Sequence, residues 1–134
     1  MAGAILSKQL TVETQNKLGM FAEVTGTISG AGVNIVAICA YGMGDKAVFY
    51  VVTNNNASAQ TALKKKGMAV KEEDVVTVML DDTIGTAKAM ADKIKAAGID
   101  LGYIYGSACG CVDTKALLVM KAKDNAKLIK AING

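Results

Sequence analysis

The stretch Leu18–Ile35, LGMFAEVTGTISGAGVNI, decides the fold. Phe21, Val24 and Ile28 recur at helical spacing, Gly19 stands before them, and Gly32 falls where a left-handed residue ends a helix. The layout returns at Ile84–Leu101, IGTAKAMADKIKAAGIDL, with few letters in common. A shift of 66 residues carries Gly19 onto Gly85, Ile28 onto Ile94 and Gly32 onto Gly98. Thr11, Val12, Ala31 and Ile38 meet Thr77, Val78, Ala97 and Ile104 at the same shift. Matched glycines at both helix ends, with the apolar stripe in phase, identify an internal duplication.

Outward from these segments, each copy reads as the same string of elements. Leu10 to Thr14 alternates as a strand, and Val75 to Leu80 is a nearly continuous apolar one. Polar turns follow at Gln15 to Lys17 and at Asp81 to Thr83, and then come the two helices. Their inward faces are read as Phe21, Val24 and Ile28 in copy one and Ala87, Met90 and Ile94 in copy two. Second strands run from Asn34 to Ala40 and from Asp100 to Tyr105, and third strands from Ala47 to Thr53 and from Ala116 to Met120. Second helices are predicted over Ala57–Lys66 and Asn125–Ile132, and copy one adds a short fourth strand at Met68–Val70. Copy two has no counterpart of that last strand. The fold class is therefore α+β: two ferredoxin-like βαββαβ units in tandem, residues 1–72 and 73–134, each an antiparallel sheet with helices on one face. Strands covered on one face alternate, yet NIVAICA, AVFYVV, VVTVML and ALLVM are apolar on both, which predicts further packing of the sheets, oligomerisation, or both.

Composition narrows the chemistry. Of 134 residues, 51% are hydrophobic and the net charge is only +3. Arginine, histidine, proline and tryptophan are absent. Without arginine there is no planar fork for phosphate or guanine, and with only six Phe and Tyr residues no base-stacking platform is expected, so nucleic acid is not an expected partner. Without histidine the chain lacks the usual general base at neutral pH and the commonest metal ligand. An enzyme using Cys109 or Cys111 has no histidine to activate it. Those two cysteines, in CGC, are candidates for a soft metal, but a closed site needs ligands from a second chain, so no metal site is assigned. Cys39, within an apolar strand, reads as a small buried residue. Met1 to Leu6 has neither a basic start nor a long apolar run, and Val24 to Gly44 is too broken by polar residues and glycines to span a membrane, so the expectation is a cytoplasmic protein without membrane contact. GMGDK at Gly42–Lys46 lacks the spacing of a phosphate loop, and KKK at Lys64–Lys66 complements a helix C-terminus.

The paired patterns NKLGMFAEVTGTISGAGVNI and DTIGTAKAMADKIKAAGIDL resemble the ACT domain, a small-molecule-sensing module typically regulated by amino acids. Two copies joined by VKEEDVVTVML, with little else on the chain, resemble stand-alone tandem ACT proteins. The resemblance implies a non-catalytic regulatory protein, without a cofactor, that binds an amino acid where ACT units meet. It also implies a homo-oligomer, taken as a dimer, and a separate effector protein. The family usually has proline before the first glycine; Leu18 and Ile84 stand there instead, which predicts looser turns.

Candidate ligand-binding residues follow on two grounds. Gly19 and Gly85 lack a Cβ and open helices whose N–H groups favour an anion such as a carboxylate, although a tight strand-to-helix turn alone also accounts for them. Through the resemblance, ligands lie between the first loop of one unit and the second-strand region of its neighbour. That implicates Asn16, Lys17, Leu18 and Met20 with Asn34 and Ile35, and Asp82, Thr83 and Ile84 with Asp100. Asn16, Asn34, Asp82 and Asp100 are the partners for an ammonium group, or else local Asx turns and caps. Phe21 is assigned to the core and Met20 to the pocket. With Asn in copy one and Asp in copy two, the copies are expected to differ, copy one accepting the free amino acid more readily. The rival readings are an interaction module that binds no small molecule and a nucleotide-responsive signalling protein.

Overall fold

The computed structural model describes residues 3–108 and 115–134. Packing divides the chain into two compact units, Lys8–Glu73 and a second made of Met1–Ser7 with Asp74–Gly134.

The first unit draws on β1 (Gly3–Gln15), α1 (Met20–Gly30), β2 (Ile35–Met43), β3 (Lys46–Thr53), α2 (Asn56–Lys65) and the start of β4 (Ala69–Asp81). Its strand order is β2-β3-β1-β4. β3 pairs antiparallel with both neighbours, so that Val51 lies opposite Leu10 on one side and Ile38 on the other. Alternate residues of β1 and β3 (Leu10, Val12, Phe49 and Val51) meet Val24 and Ile28 of α1 and Leu63 of α2 in one core. The Asn55 side chain caps α2 by accepting from the Ser58 N–H at 3.2 Å, and Lys64 and Lys65 lie in the last turn, where positive charge suits the helix dipole.

The second unit repeats this plan with the rest of β4, α3 (Thr86–Ala96), β5 (Leu101–Ser107), β6 (Lys115–Ala122) and α4 (Asn125–Asn133). Its strand order is β1-β4-β6-β5. Val76, Val78 and Leu80 of β4 and Met120 of β6 pack against Met90 and Ile94 of α3 and Leu128 and Ile132 of α4. Asp124 caps α4 by accepting from the Lys127 N–H at 3.0 Å.

The strands expected at Met68–Val70 and Val75–Leu80 are one continuous element, β4, and β1 begins seven residues before the expected Leu10. Both strands are 13 residues long and each serves both units. The fourth strand that copy two lacks in sequence order comes from the N-terminal end of β1: Ala4 is 3% exposed within the second core. By packing, residues 1–7 group with the second unit and Glu73 with the first, where the sequence boundaries are 1–72 and 73–134. No local pattern marks this, because the strand stands far from its partners along the chain.

The expected places of Met20 and Phe21 are exchanged. Met20 is buried with Val24 and Ile28, and Phe21 is 62% exposed. Both a three- and a four-residue first step fit a helix. The left-handed Gly19, however, starts α1 so that the four-residue row 20, 24, 28 faces the sheet. The same row in α3 is Thr86, Met90 and Ile94, which leaves Ala87, also expected inside, exposed.

Candidate functional site

Two strand-to-helix turns, one per unit, share the same backbone path. In the first, the Met20 N–H donates to the Lys17 carbonyl at 3.3 Å, and Gly19 has φ 86° and ψ 1°. In the second, the Thr86 N–H donates to the Thr83 carbonyl at 3.3 Å, and Gly85 has φ 87° and ψ −7°. These are type II turns with glycine in the position that demands positive φ. Neither helix receives a side-chain cap. A Cβ placed on either glycine would have no neighbour within 4 Å, so its backbone conformation, and not crowding, requires glycine. Each turn therefore opens a helix that has no side-chain cap, and helix N-termini of this kind favour an anionic group.

The surroundings of the two turns differ. Asn16 is bound into the β2–β3 hairpin: its N–H donates to the Asp45 carbonyl at 2.8 Å and its Nδ2 to the Gly44 carbonyl at 3.1 Å. It lies so close over Gly42 that a Cβ there would come within 2.6 Å of Nδ2. These bonds tie Asn16 to a hairpin 28 residues along the chain and not to its own turn. The segment that matches Gly44 and Asp45 in copy two, including Cys109 and Cys111, lies outside the described residues. Lys17, Leu18, Asp82, Thr83 and Ile84 are exposed, with Leu18 and Ile84 projecting fully into solvent. The Thr83 and Thr86 hydroxyls share a 2.6 Å hydrogen bond. A cavity of about 380 Å³ opens beside the second turn, lined by Asp81, Ile84, Gly85, Thr86 and Lys93 among others. Asp81 pairs with Lys115, which holds its carboxyl below the usual carboxylate range. Copy one has Gln15 opposite Lys46 at this place.

The second-strand positions stand apart from the turns within each unit. Each first helix has 11 residues and so separates its two ends by about 16 Å at 1.5 Å per residue. Asn34 and Ile35 therefore lie at the far end of their unit from Gly19, as Asp100 does from Gly85. Asn34 exchanges two bonds with Asn54: its N–H donates to Asn54 Oδ1 at 3.0 Å, and its carbonyl accepts from the Asn54 N–H at 3.1 Å. Ile35 is half-buried against the first core. Asp100 lines a different cavity from Gly85. The Asp81–Lys115 pair is not among the residues that the sequence singles out; its signal is the carboxylate of Asp81, where copy one has Gln15, opposite a lysine that both copies carry. Cys39 is half-buried on β2. Among the described residues no group of three or more His, Cys, Asp or Glu is placed to hold a metal ion, and no helix is long and apolar enough to cross a membrane.

Comparison with known proteins bears on the whole of this architecture. No curated protein matches the chain. Among solved structures, a protein of Bacteroides thetaiotaomicron superposes with a TM-score of 0.87 at 25% identity, covering 98% of this chain and 89% of the other. The regulatory subunit of aspartate kinase from Thermus thermophilus, in ligand-free form, gives 0.68 at 16% identity over 98% and 95% of the two chains. Escherichia coli aspartokinase III in complex with aspartate and ADP gives 0.61 at 16% identity, over 97% of this chain and 32% of that one. The family model described as an ACT domain pair matches residues 5–132, and with two such units built around paired glycine turns, the chain belongs to the ACT domain pair family.

Proposed function

We propose that the protein is a non-catalytic, cytoplasmic sensor that binds an amino acid at its glycine turns and acts on a separate effector protein. The observation that carries this is the pair of uncapped helix N-termini behind left-handed Gly19 and Gly85, where an added Cβ would meet nothing within 4 Å. A ligand carboxylate fits there. Because Asn34 and Asp100 lie at the other end of their own units, the ammonium group is met by the second-strand start of a neighbouring ACT unit. That requirement supports a homo-oligomer, a dimer in its simplest form. Similarity in fold to regulatory subunits of aspartate kinase supports a regulatory role, and no cofactor is invoked.

The ligand acts by binding one packed state better than another, since equal affinity for both shifts nothing. Thermal unfolding across the twenty amino acids, with the mass in solution measured in parallel, tests the proposal. A saturating ligand raises stability by RT ln(1 + [L]/Kd), and the expected result is a rise with one amino acid or a few related ones. No rise with any of them leaves the alternative of a protein-interaction module. Fully exposed Leu18 and Ile84, at matched tips of the two turns, favour that second reading.

A further inference from the structure

The two units hold their last strand in different ways. In the first, the start of β4 follows α2 through Gly67 and Met68, so the chain itself keeps that strand beside its helix. In the second, the strand at the same place is the N-terminal end of β1, which arrives from the far end of the chain and forms the edge in the order β1-β4-β6-β5. Asn133, the last residue of α4, holds it there: its Nδ2 donates to the Ala4 carbonyl and its Oδ1 accepts from the Ala4 N–H. A shift of 69 residues carries Asn56 and Leu63 of α2 onto Asn125 and Ile132 of α4, and it carries exposed Lys64 onto Asn133. The latch thus exists only in the unit whose strand has no connection to its helix.

Asn133 is also the only asparagine that glycine follows. Glycine has no Cβ to hinder its own nitrogen, which can therefore reach the side-chain carbonyl carbon of the asparagine before it. With the strand docked, both reacting groups are engaged. The Asn133 amide is tied to Ala4, and the Gly134 N–H donates to the Lys130 carbonyl at 3.0 Å. Lys93 Nζ pins the same turn by donating to the Ile132 and Gly134 carbonyls at 3.2 and 3.1 Å. All these bonds lie at a strand edge or in the last turn of a helix, where local opening costs least.

We propose that Asn133 is a deamidation site, protected while the strand is docked, whose conversion permanently releases the Gly3–Ser7 strand from the second unit. On opening, the Gly134 nitrogen gives its proton to solvent and attacks Asn133 Cγ. The new N–C bond closes a cyclic succinimide, and the side-chain nitrogen leaves as ammonia. Water then opens the ring at either carbonyl, giving aspartate or isoaspartate. The net change is amide plus water to carboxylate plus ammonium, with no oxidant or reductant. A carboxylate only accepts hydrogen bonds. It still takes the Ala4 N–H, but the Ala4 carbonyl loses its donor and faces a charged oxygen. The strand that redocks on Asn133 does not redock on the product, and the edge of β4 is left open to pairing with another chain.

Incubation of the full chain at mildly alkaline pH, with mass spectrometry of the proteolytic peptide that carries Asn133, tests this. The expected result is conversion at Asn133 ahead of every other asparagine, to aspartate and isoaspartate together, and about tenfold or more faster in denaturant than in the folded protein. Lys93→Gln, which frees the last turn of α4, is expected to speed conversion of the folded protein about threefold. Asn133→Asp stands for the product. Amide exchange in it is expected to lose protection at residues 3–7, and to lose more than Asn133→Ala does, because alanine leaves no charge beside the Ala4 carbonyl. If Asn133→Asp does not fold, the parent chain aged to partial conversion supplies both forms in one sample, and exchange read by mass on each decides the same point. Conversion no faster at Asn133 than at the other asparagines, a rate unaffected by denaturant, or undiminished protection at residues 3–7 in the converted form overturns the proposal.

Discussion

Asn133 closes a ring of two hydrogen bonds with the backbone of Ala4: its Nδ2 donates to the Ala4 carbonyl and its Oδ1 accepts from the Ala4 N–H, both at 2.9 Å. A side-chain amide offers the same donor and acceptor as a peptide group, so Asn133 stands where a further strand would pair with the edge of the second unit. It satisfies the edge and fixes the first residues of the chain 129 positions away.

Asn133→Ala is therefore expected to cost about 1–3 kcal/mol, two part-buried bonds at roughly 0.5–1.5 kcal/mol each. Denaturant unfolding measures the loss. Amide exchange is expected to place it at residues 3–7 and their β4 partners, with Leu10 to Val12 unchanged. Uniform loss of protection along all of β1 contradicts this assignment.

The duplication was readable because it rests on local signals: glycines at helix ends, apolar rows at helical spacing, and the same offset throughout. The helices α2 and α4 and the strands β3 and β6 fall within about two residues of their sequence positions for the same reason. What stayed hidden depends on distant partners. Nothing around Ala4 announces that it completes a core built by Val76 and Leu128, and nothing around Phe21 shows which of two adjacent helical rows faces the sheet.

Gly19→Ala and Gly85→Ala are each expected to destabilise the protein by about 1–2 kcal/mol, the cost of a left-handed L-residue. The space in front of both glycines is open, so no steric clash adds to this. Thermal unfolding of each variant reads the cost directly, and a loss well above this range shows crowding that the geometry does not contain.

The Asp81–Lys115 pair gives the second unit a pH dependence with a definite sign. Lys115 lowers the Asp81 carboxyl below its ordinary value of 3.8, so its stabilisation is present above that value and disappears as pH falls through the lower, folded-state value. Both side chains are about half exposed, so the effect is small and weakens with salt. Asp81→Asn is expected to flatten the acid limb of melting temperature against pH while leaving the pattern of folded amide shifts intact. An unchanged acid limb in this variant shows that the pair contributes nothing.

Leu18 and Ile84 occupy the second position of their type II turns, the position for which proline is pre-set by its fixed φ near −65°. Both side chains project fully into solvent, so replacing them removes no packing. Leu18→Pro and Ile84→Pro are accordingly expected to stabilise the protein by about 0.4–1 kcal/mol each, chiefly by restricting the unfolded chain. The turns are far apart in sequence and matched in geometry, so the two gains are expected to add. If instead these side chains hold a partner, the same substitutions weaken self-association in solution while still raising the melting temperature of the dilute protein. Sedimentation and thermal unfolding of the double variant separate the two effects, and a fall in melting temperature in either single variant refutes the turn assignment.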